Sequence, residues 1–267
     1  MIRLSIITIN YNNLSGLKKT VESVLSQSYS NFEYIVIDGN STDGSKEYIQ
    51  SLDGKFAYWI SENDTGVYNA MNKGILKAKG EYCLFLNSGD YLVNQEILKK
   101  VFAVNYAEDI VYGDMLLEEG NNKRILSTQP STLTFEHFLS SSLWHPVSFI
   151  KTVLFEKYGF YNEAFKIVSD YEFFLKTIII HNVSYRHVPI TISVYKVEGI
   201  SSFKENEPLN LAERKKVLET HFPLSVIETA QRLEALNGSR VIKVYRIFQK
   251  YPGLLKQISK IASILKK

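Results

Sequence analysis

Short apolar runs alternate with stretches of helical periodicity over the first hundred residues. Leu4-Ser5-Ile6-Ile7-Thr8-Ile9 reads as a buried strand ending in the polar run Asn10-Tyr11-Asn12-Asn13. From about Ser15, Leu17, Val21, Val24 and Leu25 share one helical face, with Ser15 as candidate cap. Tyr34-Ile35-Val36-Ile37 predicts a second strand ending at Asp38, and the turn-rich Gly39-Asn40-Ser41-Thr42-Asp43-Gly44 leads into a helix bearing Tyr48, Ile49 and Leu52. A strand from Phe56 to Ile60, a helix with Val67, Met71, Ile75 and Ala78 on one stripe, a stop at Gly80 and a strand from Tyr82 to Leu86 extend the series. Such alternation predicts a mostly parallel central sheet flanked by helices.

From Glu96 to about Ile200, short strands (Ile110 to Tyr112, Ser148 to Ile150, Tyr185 to Ile190) mix with helices, the clearest running from Tyr171 to Ile180. These residues read as the second half of one domain. After Ser202 the pattern is helical, interrupted at Pro223 and Pro252, so we expect a domain over 1–202 and a helical extension over 203–267. The charge is divided in the same way. The chain carries +3 overall, but residues 239–267 hold eight Lys and Arg and no acid, leaving −5 on the rest. A basic end on a mildly acidic body suits an anionic surface better than nucleic acid.

Composition excludes little else: 267 residues, 45% hydrophobic and 22% charged, belong to an ordinary folded protein. A single cysteine, Cys83, leaves no disulfide and no thiolate metal cluster, and it alternates into a strand as packing. With no leader pattern and no long apolar stretch, a cytoplasmic location is expected.

In an open parallel sheet, ligands bind beyond the carboxyl ends of the strands. The polar residues there are Thr8, Asn10 and Tyr11 after the first strand, Asp38 after the second, Glu62 and Asp64 after the third, and Asn87-Ser88-Gly89-Asp90 after the fourth. Any one of these groups is explained by turn chemistry alone; four together point to a site. Neither Gly-x-Gly nor a Gly-Lys-Ser/Thr loop occurs, which disfavours a dinucleotide fold or a P-loop. A nucleotide's phosphates are then best met by Mn²⁺ or Mg²⁺ on a carboxylate, with Asp90 the candidate.

The blocks Ser5–Asn12, Val36–Gly44, Asp64–Gly74 and Phe85–Asp90 resemble, in order and spacing, those of family 2 glycosyltransferases of the GT-A fold, a bacterial surface-polysaccharide type. His145-Pro146, Lys157–Asn162 and Val168–Lys176 resemble the family's acceptor-side block, so the likeness spans residues 3–202. It implies an inverting transfer of a sugar from a UDP- or GDP-type donor to a hydroxyl of a glycan or lipid-linked acceptor. Thr8, Asn10, Tyr11, Asp38, Asn72, Lys73, Asn87 and Ser88 would face the donor nucleotide, Asp90 would ligate the metal, and Asp170 would be the general base. His145 would lie on the acceptor side. The chain departs from the pattern twice. Asn87 and Gly89 stand where further carboxylates are common, and Met71 stands where an Arg is, leaving Lys73 as its replacement.

From the residues alone, Asp170 also reads as a carboxylate at a helix start, His145 as a structural histidine, and Tyr68 as a ring able to close over a donor sugar. Two other functions fit the same strand ends: a metal-dependent nucleotidyl or phosphoryl transferase, and a degenerate GT-A domain that binds without catalysis. In the basic end, Val241, Val244, Tyr245 and Phe248 precede Pro252, and Leu254, Leu255, Ile258 and Ile261 follow it. These two amphipathic segments fit either helices packed on the body or peripheral attachment to anionic lipid on the inner face of the plasma membrane.

Overall fold

The strand predicted over residues 4–9 extends one residue further as β1 (Leu4–Asn10), and all seven of its residues are buried. β1 earns that burial by lying between two parallel neighbours, β2 (Phe32–Asp38) and β4 (Tyr82–Phe85), which is why its sequence is a nearly continuous apolar run. The computed structural model describes residues 2–120, 123–197 and 204–238. Its first half is α1 (Leu14–Leu25), α2 (Ser45–Ser51), β3 (Tyr58–Ser61) and α3 (Val67–Ile75) alternating with those strands. The cap of α1 is Asn13 and not Ser15: the Asn13 Oδ1 accepts the Gly16 N–H at 3.0 Å, a donor that the first turn of the helix leaves without an intrahelical partner.

The second half holds β5 (Tyr91–Leu92), α4 (Ile97–Val101), β6 (Ile110–Glu119), β7 (Lys123–Ser127), α5 (Phe135–Ser140), β8 (Ser148–Lys151), α6 (Val153–Tyr158), α7 (Ser169–Phe174) and β9 (Tyr185–Lys196). The helix expected from Tyr171 to Ile180 begins at Ser169 and is α only to Phe174; Leu175–Ile180 widens to a π-helix. One sheet joins all the strands in the order β3-β2-β1-β4-β8-β6-β9-β5, with β7 on β6. Its parallel character is strict from β3 to β4; beyond β4 it is mixed, with β8 antiparallel to both β4 and β6. Period-2 patterning does not fix strand direction, so that part of the order was not readable from the sequence.

Helices cover both faces. Ile7, Ile9, Ile35 and Ile37 pack with Met71 and Ile75 of α3 on one side, and Leu4, Ile6, Tyr34 and Val36 with Leu17, Val21 and Val24 of α1 on the other. On the α3 side, Phe85, Phe155, Tyr161 and Phe173 pack with centroids 4.6–6.0 Å apart, Phe155 stacked on Phe173 and the other pairs edge to face. Each such pair contributes about 1 kcal/mol beyond burial and fixes α7 against β4. The helices expected after residue 203 are α8 (Glu207–His221) and α9 (Leu224–Gly238), broken at Pro223, with Val217, Leu218 and Ile227 in the same core. The boundary at 202/203 and the basic segment 239–267 lie outside the described residues. No helix among the described residues is long and apolar enough to cross a membrane.

Candidate active site

The parallel register brings Asn10, Asp38 and Ser61 into one row at the strand ends. A cleft of about 790 Å³ opens beyond them, walled by the ends of β1 and β4, by α3 and by the start of α7. Tyr11, Asn10, Asn87, Ser88, Asp90, His145 and Asp170 line it. The other four sequence candidates do not.

Thr8 shares its face of β1 with Asn10 but lies two residues further inside the sheet, where it is fully buried and its hydroxyl meets the Tyr34 hydroxyl at 2.9 Å. Asp38 is fully buried and its carboxylate is already occupied. One oxygen accepts from the Asn10 amide (2.7 Å) and the Ser41 hydroxyl (2.6 Å), the other from the Ser41 N–H (2.9 Å) and the Ser61 hydroxyl (2.7 Å). These bonds organise the loop after β2, and the carboxylate is not among the groups that line the cleft. Asn72 pins Tyr161 and Glu163 to α3, donating to the Tyr161 carbonyl and the Glu163 carboxylate and accepting from the Tyr161 N–H. Lys73 is paired with Glu62 at 2.7 Å and donates to the Asn63 carbonyl. Tyr68 is buried in the wall, not poised over the opening; its hydroxyl lies 2.6 Å from the Ile167 carbonyl and 3.0 Å from Asp170. Burial and the Asp170 charge raise that phenol's pKa well above its usual value.

At one end of the cleft, Tyr11 exposes 67% of its surface at the opening. Asp64 joins it, noted in the sequence only as a strand end. A Cβ on Gly39 would lie 2.6 Å from the Asp64 Oδ2 and 3.1 Å from the Tyr11 ring, so the three meet only because residue 39 is glycine. Asn10 Oδ1 is buried there with no hydrogen-bond partner in the protein. Lys166 and Lys196 add positive charge to the lining.

Past β4, Ser88 N–H bonds to the Ile9 carbonyl and Asn13 donates to the Ser88 carbonyl, tying this block to the ends of β1 and α1. Gly89 has φ +111°, a conformation that side-chain residues rarely adopt, so a second carboxylate at that position would strain the turn, although a Cβ there would meet nothing closer than 3.6 Å. Asp90 is 4% exposed, and burial pushes its carboxyl up to about 7 against the opposing pull of His145. Among the described residues, no three His, Cys, Asp or Glu side chains gather as a ready metal cage. What the donor set offers is one inward carboxylate, enough for a divalent ion that draws its remaining ligands from phosphates and water.

Asp170 stands in the first turn of α7. Its Oδ1 accepts from the Tyr171 N–H at 2.9 Å and lies 3.0 Å from the Tyr68 hydroxyl, and its Oδ2 meets His145 Nδ1 at 3.1 Å. The carboxylate remains 18% exposed to the cleft. Behind it, α8 braces the site. Glu213 accepts the Lys166 and Ile167 N–H groups at 2.8 and 3.0 Å, Arg214 stacks 4.0 Å over the Tyr171 ring and donates to the Ser141 carbonyl, and His221 pairs with Glu172 at 2.9 Å. Nothing in the sequence marked these residues, because their hydrogen bonds span 46 to 73 residues of chain. Cys83 is packing, as expected: burial raises its thiol to about 12 and Thr152 is its neighbour.

The glycosyl transferase family 2 profile matches residues 5–164. An uncharacterised glycosyltransferase of Mycobacterium tuberculosis is 33% identical over 212 residues, 76% of this chain and 78% of that one. In fold, S. aureus TarS 1–349 in complex with UDP-GlcNAc is similar at TM-score 0.60 and 22% identity, over 73% of this chain and 58% of that one. The chain spans only 42% of a longer TarS chain. The Pyrobaculum calidifontis mannosyltransferase PcManGT, in complex with GDP-Man and Mn²⁺, is similar at TM-score 0.56 and 14% identity over 93% and 84%. With this profile over more than half its length and a strand-end cleft on a GT-A sheet, the chain belongs to glycosyl transferase family 2 and is a glycosyltransferase.

Proposed function

We propose that this enzyme moves a sugar from a nucleoside diphosphate donor to a hydroxyl of a glycan or lipid-linked acceptor by one inverting displacement, with Asp170 as general base. The observation that carries this reading is the Asp170 carboxylate: held at both oxygens, yet open to the cleft that Asp90 and Tyr11 share. The acceptor oxygen bonds to the anomeric carbon as its proton passes to Asp170. The bond from that carbon to the diphosphate breaks on the opposite face, and its electron pair leaves on the phosphate. Tyr11 offers a ring for the base to stack on, and Asp64 an acceptor for a base N–H or ribose hydroxyl. Lys166 and Lys196 supply charge for the diphosphate.

Asp90 would hold Mn²⁺ or Mg²⁺, which when bound offsets the charge growing on the leaving diphosphate. UDP-GlcNAc and GDP-Man in fold neighbours support donors of the UDP or GDP type, and the neighbour with Mn²⁺ supports the metal. The basic segment 239–267 would bring the enzyme to anionic lipid on the inner face of the membrane, where a lipid-linked acceptor lies. Equal liposome co-sedimentation with and without it removes that element.

The deciding measurement is a thermal-shift panel of UDP, GDP, CDP, dTDP and their sugars with Mn²⁺, Mg²⁺ or EDTA. A metal-dependent shift with one diphosphate is expected and names the base. Shifts that ignore the metal favour a domain that binds without catalysis, the reading that Asn87 and Gly89 support; no shift at all overturns both.

A further inference from the structure

Asp170 does not face His145 alone. The second ring nitrogen of His145, Nε2, lies 3.3 Å from the Asn87 Nδ2, so a continuous chain runs from Asn87 through His145 to Asp170. It links the Asn87–Asp90 turn to the carboxylate at the start of α7. His145 itself sits in a short 3-10 turn with Pro146 in its first turn, which gives the ring a firm base.

Each link dictates the next. The Asp170 carboxylate needs a donor, so Nδ1 carries the proton. A neutral ring with Nδ1–H presents a lone pair at Nε2, and only the amide nitrogen of Asn87 can meet it. Turned this way, Asn87 leaves its Oδ1 buried without a partner, and the opposite rotation would strand the NH₂ group in the same place. One buried polar atom goes unpaired in either orientation, at a cost of about 1–3 kcal/mol. The orientation is therefore decided by the histidine. An aspartate at 87, where the family pattern has a carboxylate, accepts only. It would draw a proton onto Nε2 and take the ring out of its neutral Nδ1–H form.

We infer that His145 is a positioning residue for the base and that Asn87 fixes its tautomer, so the amide in the Asn-Ser-Gly-Asp turn serves Asp170, not the metal. With Nδ1–H held toward it, the Asp170 Oδ2 is oriented and kept as an acceptor, with its remaining lone pair toward the acceptor hydroxyl. The inference rests on Asp170 being the base. The departure at position 87 is thereby explained by the acceptor side of the cleft.

The test reads the ring directly, without substrate. In the full ¹⁵N-labelled chain at pH 7.5, long-range ¹H–¹⁵N correlation, assigned by the loss of signal in His145→Asn, should show Nδ1 protonated and Nε2 bare. In Asn87→Asp, Nε2 should become protonated. Turnover of the donor named by the thermal-shift panel gives the second arm. His145→Asn places an amide N–H where Nδ1–H was and should keep kcat within about tenfold of native. His145→Gln reaches only the Nε2 position and should lose about a hundredfold, with the donor KM within about twofold in both. A native ring with Nε2–H or with both nitrogens protonated, or Asn falling as far as Gln in a chain that binds donor, overturns the inference. A chain that binds no nucleoside diphosphate while the ring reads as expected overturns the reading of function instead and leaves the hydrogen-bond chain standing.

Discussion

Asp38 and Asp170 are both strand- or helix-end carboxylates beside the cleft, both in blocks that resemble the family, and the structure treats them oppositely. Asp38 is fully buried with four donors on its two oxygens, all from Asn10, Ser41 and Ser61. Asp170 accepts from Tyr171, His145 and the Tyr68 hydroxyl and keeps part of its surface open. A carboxylate saturated by its own neighbours holds a loop in shape; one held in place but not saturated can still accept a proton. Asn10 and Asn87, each with a buried oxygen unpartnered, mark where the two halves of the cleft leave hydrogen-bonding capacity unused.

The largest effect should fall on Asp170. In Asp170→Asn the geometry of the Tyr171 and Tyr68 contacts can persist, but the amide is no base, so kcat should drop by about 10²–10⁴. The thermal shift given by nucleoside diphosphate and metal should stay within about 1 °C of native. Loss of that shift would mean that Asp170 supports the fold. The contrasting variant is Asp38→Ala, which strands up to four buried donors. We expect about 3–5 kcal/mol of lost stability, seen as a fall in Tm of about 10 °C by calorimetry. A stable Asp38→Ala chain that has lost nucleotide binding would put the carboxylate back in the donor site.

The contrast also explains what the sequence could and could not convey. The parallel half was legible because β1, β2 and β4 are apolar runs and α1 and α3 have clear stripes. The same alternation placed Asn10, Tyr11 and Asp90 at the strand ends. What it could not convey is which polar residues spend their bonding capacity on one another. Thr8 spends its hydroxyl on that of Tyr34 in the neighbouring strand, and Asn72 reaches Tyr161, 89 residues ahead. The α8 brace, through Glu213 and Arg214, depends on contacts across loops that no local pattern records. Strand direction beyond β4 and the two-residue β5 escaped for the same reason: their partners are distant in sequence.

Asp90 provides a third test of intermediate size. Its carboxyl is raised from 3.8 to about 7 by burial, so the folded state binds a proton that the unfolded state has released. Without metal, stability is therefore lost as pH rises from about 4 through 7, and the full penalty is present above 7. Asp90→Asn removes it. At pH 8 in EDTA the variant should be more stable than native by about 2 kcal/mol, the full displacement setting a bound near 4. That gain should shrink as pH falls toward 4, while the metal-dependent nucleotide shift disappears. An Asp90→Asn chain less stable than native at pH 8 would show that the carboxylate is satisfied within the fold, as Asp38 is.

The smallest expected effect separates Lys73 from the lysines of the cleft. Its ammonium is spent on Glu62 and on the Asn63 carbonyl, with side-chain exposures of 25% and 47% for the ion pair, so solvent screens much of the attraction. Lys73→Met keeps the aliphatic stem and should cost under about 1 kcal/mol of stability. Because the ammonium does not line the cleft, the donor KM should change by less than about threefold, the residue acting only through the loop that carries Asn63 and Asp64. Lys166→Met, at the cleft, should raise that KM more, since a lysine there meets the diphosphate as a charge. If Lys73→Met raises KM as far as Lys166→Met, the Glu62 pair opens when donor binds, and Lys73 takes the place of the arginine that this chain lacks at position 71.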